Sequence, residues 1–315
     1  MSEALQADGR ELRFSIVVPV YNSARTLAEL HARLCAALES LGSFEIILVD
    51  DGSQDGSFAR MQELRAADPR VRIVQLMRNF GQHNALVCGL ARARGRVVIT
   101  LDDDLQNPPE EIKKLVDTLT DDLDCVLGVT QEKRQSWSRN AASRLASHAA
   151  GWILRKGKRV RFSPFTAMRA ELVAAMVLQR TAFVFIPALL YTTTMRIGEV
   201  EVRHDPRREG QSRYGWPRLL KLTSNLIFQY SNLPLRLVSV FGMTVALAAA
   251  IMAGWIVLRR LAGVPGPVGW PSLFTAVVFF GGATLCTLGI IGEYLIRIIA
   301  DAASKPTFVV RREDG

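Results

Sequence analysis

At 315 residues, 49% of them hydrophobic, the chain is long enough for one large domain or two smaller ones, each with a full core. Its formal net charge of +9 would suggest nucleic-acid binding if it were evenly spread, but residues 1–130 carry 14 Lys+Arg against 20 Asp+Glu, residues 131–222 carry 18 against 6, and residues 223–315 carry 7 against 4. The basic middle leads into an apolar C-terminal third, and a cation near anionic lipid heads is worth about 1 kcal/mol, so Arg155, Lys156, Lys158, Arg159 and Arg161 read as a lipid-facing cluster and nucleic acid is excluded as a partner.

Met1 to Arg13 is polar and lacks the apolar stretch of a secretory signal. Phe14–Val20 is an apolar, β-branched run, and a helical stretch follows from Arg25 to Leu41. Phe44–Val49 is again strand-like, with a helix from Ser57 to Ala67 behind it. Val71–Met77, Val97–Leu101 and Cys125–Val129 repeat the pattern, with helices near 82–93 and 109–119 between them. Near-continuous apolar strands joined by helical crossovers predict an α/β fold with a mostly parallel sheet and helices on both faces. From Trp137 the pattern turns mostly helical, with short strands predicted at Phe162–Met168 and Ile197–Val202. The four cysteines (Cys35, Cys88, Cys125, Cys286) form no CxxC pair and the four histidines (His31, His83, His148, His204) no HExxH spacing. That argues against a zinc centre or a disulfide scaffold and suits a reducing compartment.

Trp216 to Tyr230 spaces Leu219, Leu220, Leu222, Leu226 and Ile227 as an amphipathic helix does, which predicts a helix lying on the bilayer surface. A helix packed on its own domain fits the same spacing. Two uncharged runs follow, Leu237–Leu258 and Ser272–Gly292. Each has about 21 residues, roughly 32 Å as helix, enough to cross a bilayer core. Gly263–Pro271, with three prolines and three glycines, is a turn between them. Arg218, Lys221 and Arg236 precede the first run, and Arg297, Lys305, Arg311 and Arg312 follow the second, against Arg259 and Arg260 in the loop. Positive-inside counting therefore places both ends on the cytoplasmic side of the inner membrane. The expected layout is a cytoplasmic domain over 1–215, the amphipathic helix over 216–234, a two-span hairpin over 235–296 and a cytoplasmic tail over 297–315.

In open parallel sheets ligands bind at the carboxyl ends of the strands, and the acids of this chain concentrate there. Asp50 and Asp51 end the second predicted strand in LVDDGSQDGS, and Asp102, Asp103 and Asp104 end the fourth in ITLDDDLQNPPEE. Carboxylates clustered at neighbouring strand ends repel one another unless a cation neutralises them. Hard ions such as Mg2+ or Mn2+ prefer such oxygens, often shared with a substrate's phosphates. Residues i and i+2 of a strand point to one side, so Asp102 and Asp104 are placed to face one ion. By itself, a DxD run fits a polar turn with solvated acids equally well.

Four runs in this order and at these spacings, SIVVPVYN (15–22), ILVDDGSQDGS (47–57), RNFGQHNAL (78–86) and TLDDDLQNPPEEI (100–112), resemble the inverting family 2 glycosyltransferases of the GT-A (Rossmann-like) fold. Among these they look most like the polyprenyl-phosphate glycosyltransferases, and the resemblance covers nearly the whole chain, both C-terminal runs included. It implies transfer of a sugar from a nucleotide sugar, UDP-linked, to polyprenyl (undecaprenyl) phosphate, for a cell-envelope glycan or lipid A modification. Position by position, it implies that Pro19, Tyr21 and Asp51 hold the base and ribose. Asn79 and Gly81 match a loop that opens a helix near the donor, where the glycine alone would equally serve the turn. Asp102, Asp104 and Gln106 match the metal-binding DxDxQ, in which Mg2+ or Mn2+ bridges the diphosphate as a Lewis acid, with Asp103 between them on the donor side. Arg207, Gly210, Ser212, Arg213 and Tyr214 in RREGQSRYGW match a segment R-x-x-G-x-S-K-Y that contacts the lipid phosphate. Arg213 replaces the usual lysine, a change that a bidentate guanidinium tolerates. Asp104, Arg207 and Arg213 are then the expected catalytic residues. The expected partners are the nucleotide sugar, the polyprenyl phosphate, membrane lipids and further copies of the chain in a homo-oligomer.

The chain departs from the pattern in three places. The middle residue of the family's DAD is Asp103 here, read as pointing away from the ion. RFSPFTAMRAE (161–171) aligns with a segment where relatives often carry an aspartate proposed as base, and the matching residue is Ser163. Relatives also carry an arginine near Thr130, which leaves Arg134 or Arg139 to neutralise the acceptor phosphate. A phosphate monoester has a second pKa near 6 and is largely a dianion at neutral pH, so it needs orientation and neutralisation more than a base. Two other readings stand beside this one. A processive polysaccharide synthase would carry QxxRW, and QEKRQ (131–135) lacks the tryptophan. A non-catalytic membrane scaffold that binds nucleotide sugar is favoured only by Ser163.

Overall fold

The computed structural model describes residues 12–130, 163–179, 184–205, 269–302 and 306–314, with isolated positions between 238 and 262. Strand β1 (Phe14–Val20) is buried along its whole length, as a run of Phe, Ile and Val requires, and sits inside an eight-stranded sheet. Crossovers through helix α1 (Leu27–Leu38) to β2 (Phe44–Asp50) and through α2 (Ser57–Ala67) to β3 (Val71–Leu76) extend the sheet on one side. Helix α3 (Gln82–Leu90) then returns the chain to β4 (Val97–Thr100), which pairs with β1 from the opposite side. The direction of winding thus reverses between β1 and β4, and a crevice at the carboxyl ends of the strands is the usual consequence.

Beyond a 3-10 turn (Pro109–Glu111) and α4 (Ile112–Thr118) come β5 (Cys125–Val129), β6 (Thr166–Arg169), α5 (Ala170–Val177), α6 (Ile186–Thr193) and β7 (Ile197–Glu201). The order across the sheet is β7-β5-β6-β4-β1-β2-β3, with β6 antiparallel to β4 and β5 and the other pairs parallel. Successive strand residues feed opposite layers. Phe14, Ile16, Val18 and Val20 pack with Leu30 and Leu34 of α1 and Met61 of α2, whereas Val17 packs with Leu86 of α3 and with Val173 and Leu189 beyond it. Helices therefore cover both faces, as the apolar runs predict. Pro19 is tolerated in this interior strand because Leu101 N–H bonds Val17 O, which puts Val17 and Pro19 on the β4 side, and β4 ends its pairing at Thr100.

The outer edge of β3 is closed by an element that the sequence pattern does not announce. Strand β8 (Val310–Asp314) pairs antiparallel to β3, with Ile73 opposite Asp314, Val74 opposite Glu313 and Leu76 opposite Val310. Its VRRED run has no apolar alternation, and charge holds it instead: Glu313 receives Arg92 Nε at 2.9 Å and lies 3.6 Å from Arg72 Nη2.

The chain forms two compact units, Met1–Arg213 with Ser304–Gly315, and Tyr214–Ala303. The second contains α7 (Trp270–Ala302), 33 residues or about 50 Å long. Its stretch Phe279–Ile296 is long and apolar enough to cross a membrane, and none of it is buried. The helix continues to Ala302, past the residue at which the sequence places the end of the second span. Phe241, one of the described positions in the first predicted span, meets Phe279 with ring centroids 6.4 Å apart. The rest of that span and the Trp216–Tyr230 segment lie outside the described residues.

Candidate active site

Asp50 and Asp51 leave the end of β2 toward different partners. Asp50 is fully buried and accepts Ser53 N–H at 2.9 Å and Gln75 Nε2 at 3.3 Å, which closes the turn. Asp51 reaches across to the loop after β3: its Oδ1 accepts Phe80 N–H at 2.7 Å and its Oδ2 accepts Gly81 N–H at 2.9 Å. Burial raises the Asp51 carboxyl above the usual range against the pull of those two bonds. Gly52 has φ +73°, and a Cβ there would meet Asn79 N at 2.7 Å and Arg78 C at 2.8 Å. The glycine of DDGS is therefore what lets residues 78–81 lie against the end of β2. Gly81 has φ +98° with open space beside it, so conformation alone demands glycine at the start of α3. The Arg78 guanidinium covers the Phe80 ring at 4.3 Å.

The loop after β1 is laced to the loop after β2. Asn22, at φ +54°, donates its N–H to Ser53 Oγ at 3.0 Å and accepts Gln54 N–H on Oδ1 at 2.8 Å. Ser23 N–H bonds Ser57 Oγ at 2.8 Å, and Ala24 N–H bonds Asp55 Oδ2 at 3.1 Å. Asn22, Ser53, Asp55 and Ser57 are thus site-building residues that the sequence reading quoted within motifs but gave no role. Pro19 is buried in β1, and Tyr21 is exposed at its end.

The second acid run is not on a strand. β4 stops at Thr100, and residues 102–104 occupy a turn in which Leu105 has φ +60°, so strand alternation does not apply to Asp102 and Asp104. Their orientation comes from separate partners. Asp102 Oδ1 accepts Gln82 Nε2 at 2.5 Å, and Asp104 Oδ1 accepts Gln106 N–H at 3.1 Å. Asp103 turns to β1, where its Oδ2 accepts Tyr21 N–H at 3.1 Å, and desolvation raises its carboxyl above the usual range. Asn22 and Leu105, the non-glycine residues with positive φ among those described, stand just past the ends of neighbouring strands β1 and β4. Such backbone costs on the order of 1–3 kcal/mol per residue and clusters where function requires it.

Asp102, Asp104 and Gln106 fall within one five-residue stretch after β4 and carry carboxylate and amide oxygens, the donor type that Mg2+ or Mn2+ prefers. Among the described residues, the one trio of His, Cys, Asp or Glu with ligand atoms within 4.8 Å of one another is elsewhere, at His31, Cys35 and Asp68. Asp68 there accepts Arg70 Nε and Nη2, each at 2.9 Å, and burial pushes the Cys35 thiol up to about 11. An acid already neutralised by a guanidinium and a thiol held protonated make a structural clasp between α1 and α2.

Ser163 lies in the turn before β6, with Oγ 2.6 Å from Gly128 O and accepting Phe165 N–H at 3.1 Å. Arg134, Arg139, Arg207, Gly210, Ser212, Arg213 and Tyr214 lie outside the described residues. Gln82, which no sequence argument singled out, is brought to Asp102 by the crossover from β3 to β4.

Comparison with known proteins places this geometry. The model of the family described as Glycosyl transferase family 2 matches residues 15–184. The chain is 37% identical over 310 residues to the undecaprenyl-phosphate 4-deoxy-4-formamido-L-arabinose transferase of Edwardsiella ictaluri, covering 97% of this chain and 95% of that one. It is 36% identical over 305 residues to the protein of the same name from Enterobacter sp., covering 95% and 93%. Among solved structures, the glucosyl-3-phosphoglycerate synthase of Mycobacterium tuberculosis in complex with Mn2+, uridine diphosphate and phosphoglyceric acid shares the fold, with a TM-score of 0.53 at 19% identity over 69% of this chain and 77% of that one. With half the chain inside the family model and relatives aligned along almost its full length, the protein belongs to glycosyl transferase family 2.

Proposed function

We propose that the protein transfers a sugar from a UDP-sugar to undecaprenyl phosphate at the cytoplasmic face of the inner membrane, for modification of a cell-envelope glycan or lipid A. The observation that carries this reading is the meeting of three loops at the β1/β4 switch point: residues 21–24 bound to Asp103 and the DDGS turn, residues 78–81 hung on Asp51, and the Asp102–Gln106 turn. The relatives' names supply the acceptor.

In this reading Tyr21, Asn79 and Gly81 line the donor, and Pro19 and Asp51 hold their loops in place. Asp102, Asp104 and Gln106 would hold Mg2+ or Mn2+, which when bound supplies Lewis-acid stabilisation of the leaving diphosphate. Gln82 fixes the Asp102 carboxylate at 2.5 Å. Arg207 and Arg213, with Arg134 or Arg139, neutralise and orient the lipid phosphate, and Ser212 and Tyr214 complete its contacts. Ser163 serves the turn at Gly128, and in this reading the acceptor phosphate, already a dianion at neutral pH, attacks without a base.

The sheet supports the expected membrane topology. The chain leaves its first unit after Arg213 and returns as β8 of the same sheet, so any crossings within Tyr214–Ala303 must be even in number. In this reading helix α7 is one crossing and the uncharged run Leu237–Leu258, expected from its sequence, is the other, a two-span hairpin that would keep the catalytic unit and the C-terminus on one side.

The test is turnover by the full chain in lipid nanodiscs, with undecaprenyl phosphate and radiolabelled UDP-sugars including the formamido-arabinose donor. One sugar per lipid phosphate is the expected product. Polymer of growing length would favour a synthase, and nucleotide binding with no transfer to any lipid phosphate would leave a scaffold.

A further inference from the structure

The loop 78–81 begins at Met77, the residue that ends its run along β3. On the β2 side the loop rests on Gly52 and on the Asp51 carboxylate. On its other side β3 would be a bare sheet edge, and its last backbone groups would fray into solvent. The C-terminal segment prevents this. Met77 N–H donates to Val309 O at 2.9 Å, and Arg311 Nη2 donates to Met77 O at 3.3 Å, so both backbone groups of the residue before the loop are taken up by residues beyond α7. Phe308 and Val310 pack into the same apolar layer as Phe80. The ladder shifts register between Gln75 and Leu76, where β3 gives way to the loop. The far end of β8 is pinned by Glu313 on Arg92 and Arg72, and Arg72 rests in turn on the buried Glu45 at 3.0 Å.

We propose that β8 is a positioning strand of the donor site, with Arg311 as its positioning residue. By fixing Met77 from the outer edge it sets where residues 78–81 begin, and so presents the Phe80 and Gly81 amides to Asp51. A loop held on one side only would keep its hydrogen bonds to Asp51 for a smaller fraction of the time, and the donor would then bind to a less populated conformation. The effect on donor affinity rests on the reading of 78–81 as donor-contacting, whereas the clamp on the loop does not.

The experiment uses the full chain in nanodiscs with three changes: Arg311→Ala, Arg311→Lys, and deletion of residues 310–315. Amide hydrogen exchange over residues 78–84 is read without nucleotide, and KM and kcat for UDP-sugar are read with Mn2+. Deletion should speed loop exchange by about tenfold or more, and Arg311→Ala by about threefold, the range set by losing one to a few backbone bonds. Exchange in β1 and β4 should not change, and Arg311→Lys should restore the wild-type loop. Donor KM should rise by a similar factor with kcat held within about twofold, a split that general destabilisation would not produce. Loop exchange unchanged in the folded deletion variant overturns the proposal, and if that variant does not fold, unchanged exchange in Arg311→Ala overturns it. Faster loop exchange in a protein whose wild type binds no UDP-sugar would uphold the clamp and sink the donor-site reading.

Discussion

The two ends of the central sheet handle acidic side chains in opposite ways. At the carboxyl end, Asp50, Asp51 and Asp103 accept hydrogen bonds from backbone N–H groups of Ser53, Phe80, Gly81 and Tyr21. At the amino end, Glu45, Asp68 and Glu313 face the guanidinium groups of Arg72, Arg70 and Arg92. The ionisation of Asp51 and Asp103 differs from that of Asp68 accordingly. Burial raises Asp51 and Asp103, whereas the Arg70 guanidinium holds Asp68 far below the usual carboxylate range. A backbone N–H orients an acid and fixes a loop but carries no full positive charge, while an arginine neutralises. This difference supports the proposal that the carboxyl end receives a cation and an anionic substrate.

The largest expected effect is at the amino end. Glu45 accepts Ser15 Oγ at 2.6 Å, Arg94 N–H at 2.9 Å and Arg72 Nη1 at 3.0 Å, in a nearly solvent-free position. Glu45→Ala leaves the buried Arg72 with only the longer contact to Glu313 at 3.6 Å, strips Ser15 Oγ and Arg94 N–H of the same acceptor, and should cost about 3–5 kcal/mol of stability. Chemical denaturation of the full chain measures it. Activity per folded molecule should not change, and a rate loss larger than the folded fraction explains would break the division between the ends.

Asp104→Asn should do the reverse. Removing one charge-stabilising group at a transferring diphosphate lowers kcat by about 10²–10³-fold, or roughly 3–4 kcal/mol, with the melting temperature kept. Excess EDTA should give a comparable loss in the wild type. Full activity under either treatment removes the metal from the mechanism.

How far each end could be read from sequence follows from the same contrast. The parallel sheet was legible because its strands are continuous apolar runs such as FSIVVPV, and the acids were legible because they sit where those runs stop. The turn at 102–104 was misplaced on a strand, since nothing in VVITLDDD marks where pairing ends. Gln82 and Asn22 went unassigned because their partners, Asp102 and Ser53, are 20 and 31 residues away and meet them only through crossovers. Strand β8 was invisible for the opposite reason: VRRED has a strand's hydrogen bonds without a strand's pattern, and its stabilising partners, Arg72 and Arg92, are more than 200 residues upstream.

A smaller effect, at the carboxyl end, separates burial from charge pairing. His83, two residues past Gly81, packs edge-on against Phe185 at 4.9 Å, and its Nδ1 lies out of solvent without a hydrogen-bond partner among the described residues. Burial pulls its pKa down to about 4 from 6.5. The unfolded chain therefore binds the proton first as pH falls, and stability is full above about pH 6.5 and declines down to pH 4. The group should account for roughly 2–3 kcal/mol across that window. His83→Phe should flatten that part of the stability profile, and an unchanged slope would assign it to other groups.

The smallest expected effect is the most informative about mechanism. Ser163 stands where the family resemblance leads one to expect an aspartate, yet its hydroxyl is 2.6 Å from the Gly128 carbonyl oxygen and accepts the Phe165 N–H. A side chain that donates to one backbone group and accepts from another is fastening a turn, and it has no lone pair pointed by design at a substrate proton. Ser163→Ala should cost about 1 kcal/mol of stability, the worth of a typical internal hydrogen bond, and leave kcat/KM within about twofold. Ser163→Asp should not raise the rate, because a carboxylate in that rotamer meets the Gly128 carbonyl without a proton to share and must turn away or destabilise the turn. On the proposed dianion mechanism, kcat/KM should rise through one step near pH 6, where the lipid phosphate takes its second charge, and then level off. A large rate loss in Ser163→Ala, or a pH step well away from 6 that moves with a protein substitution, would mean that a side chain takes the acceptor's proton and that the dianion mechanism is wrong.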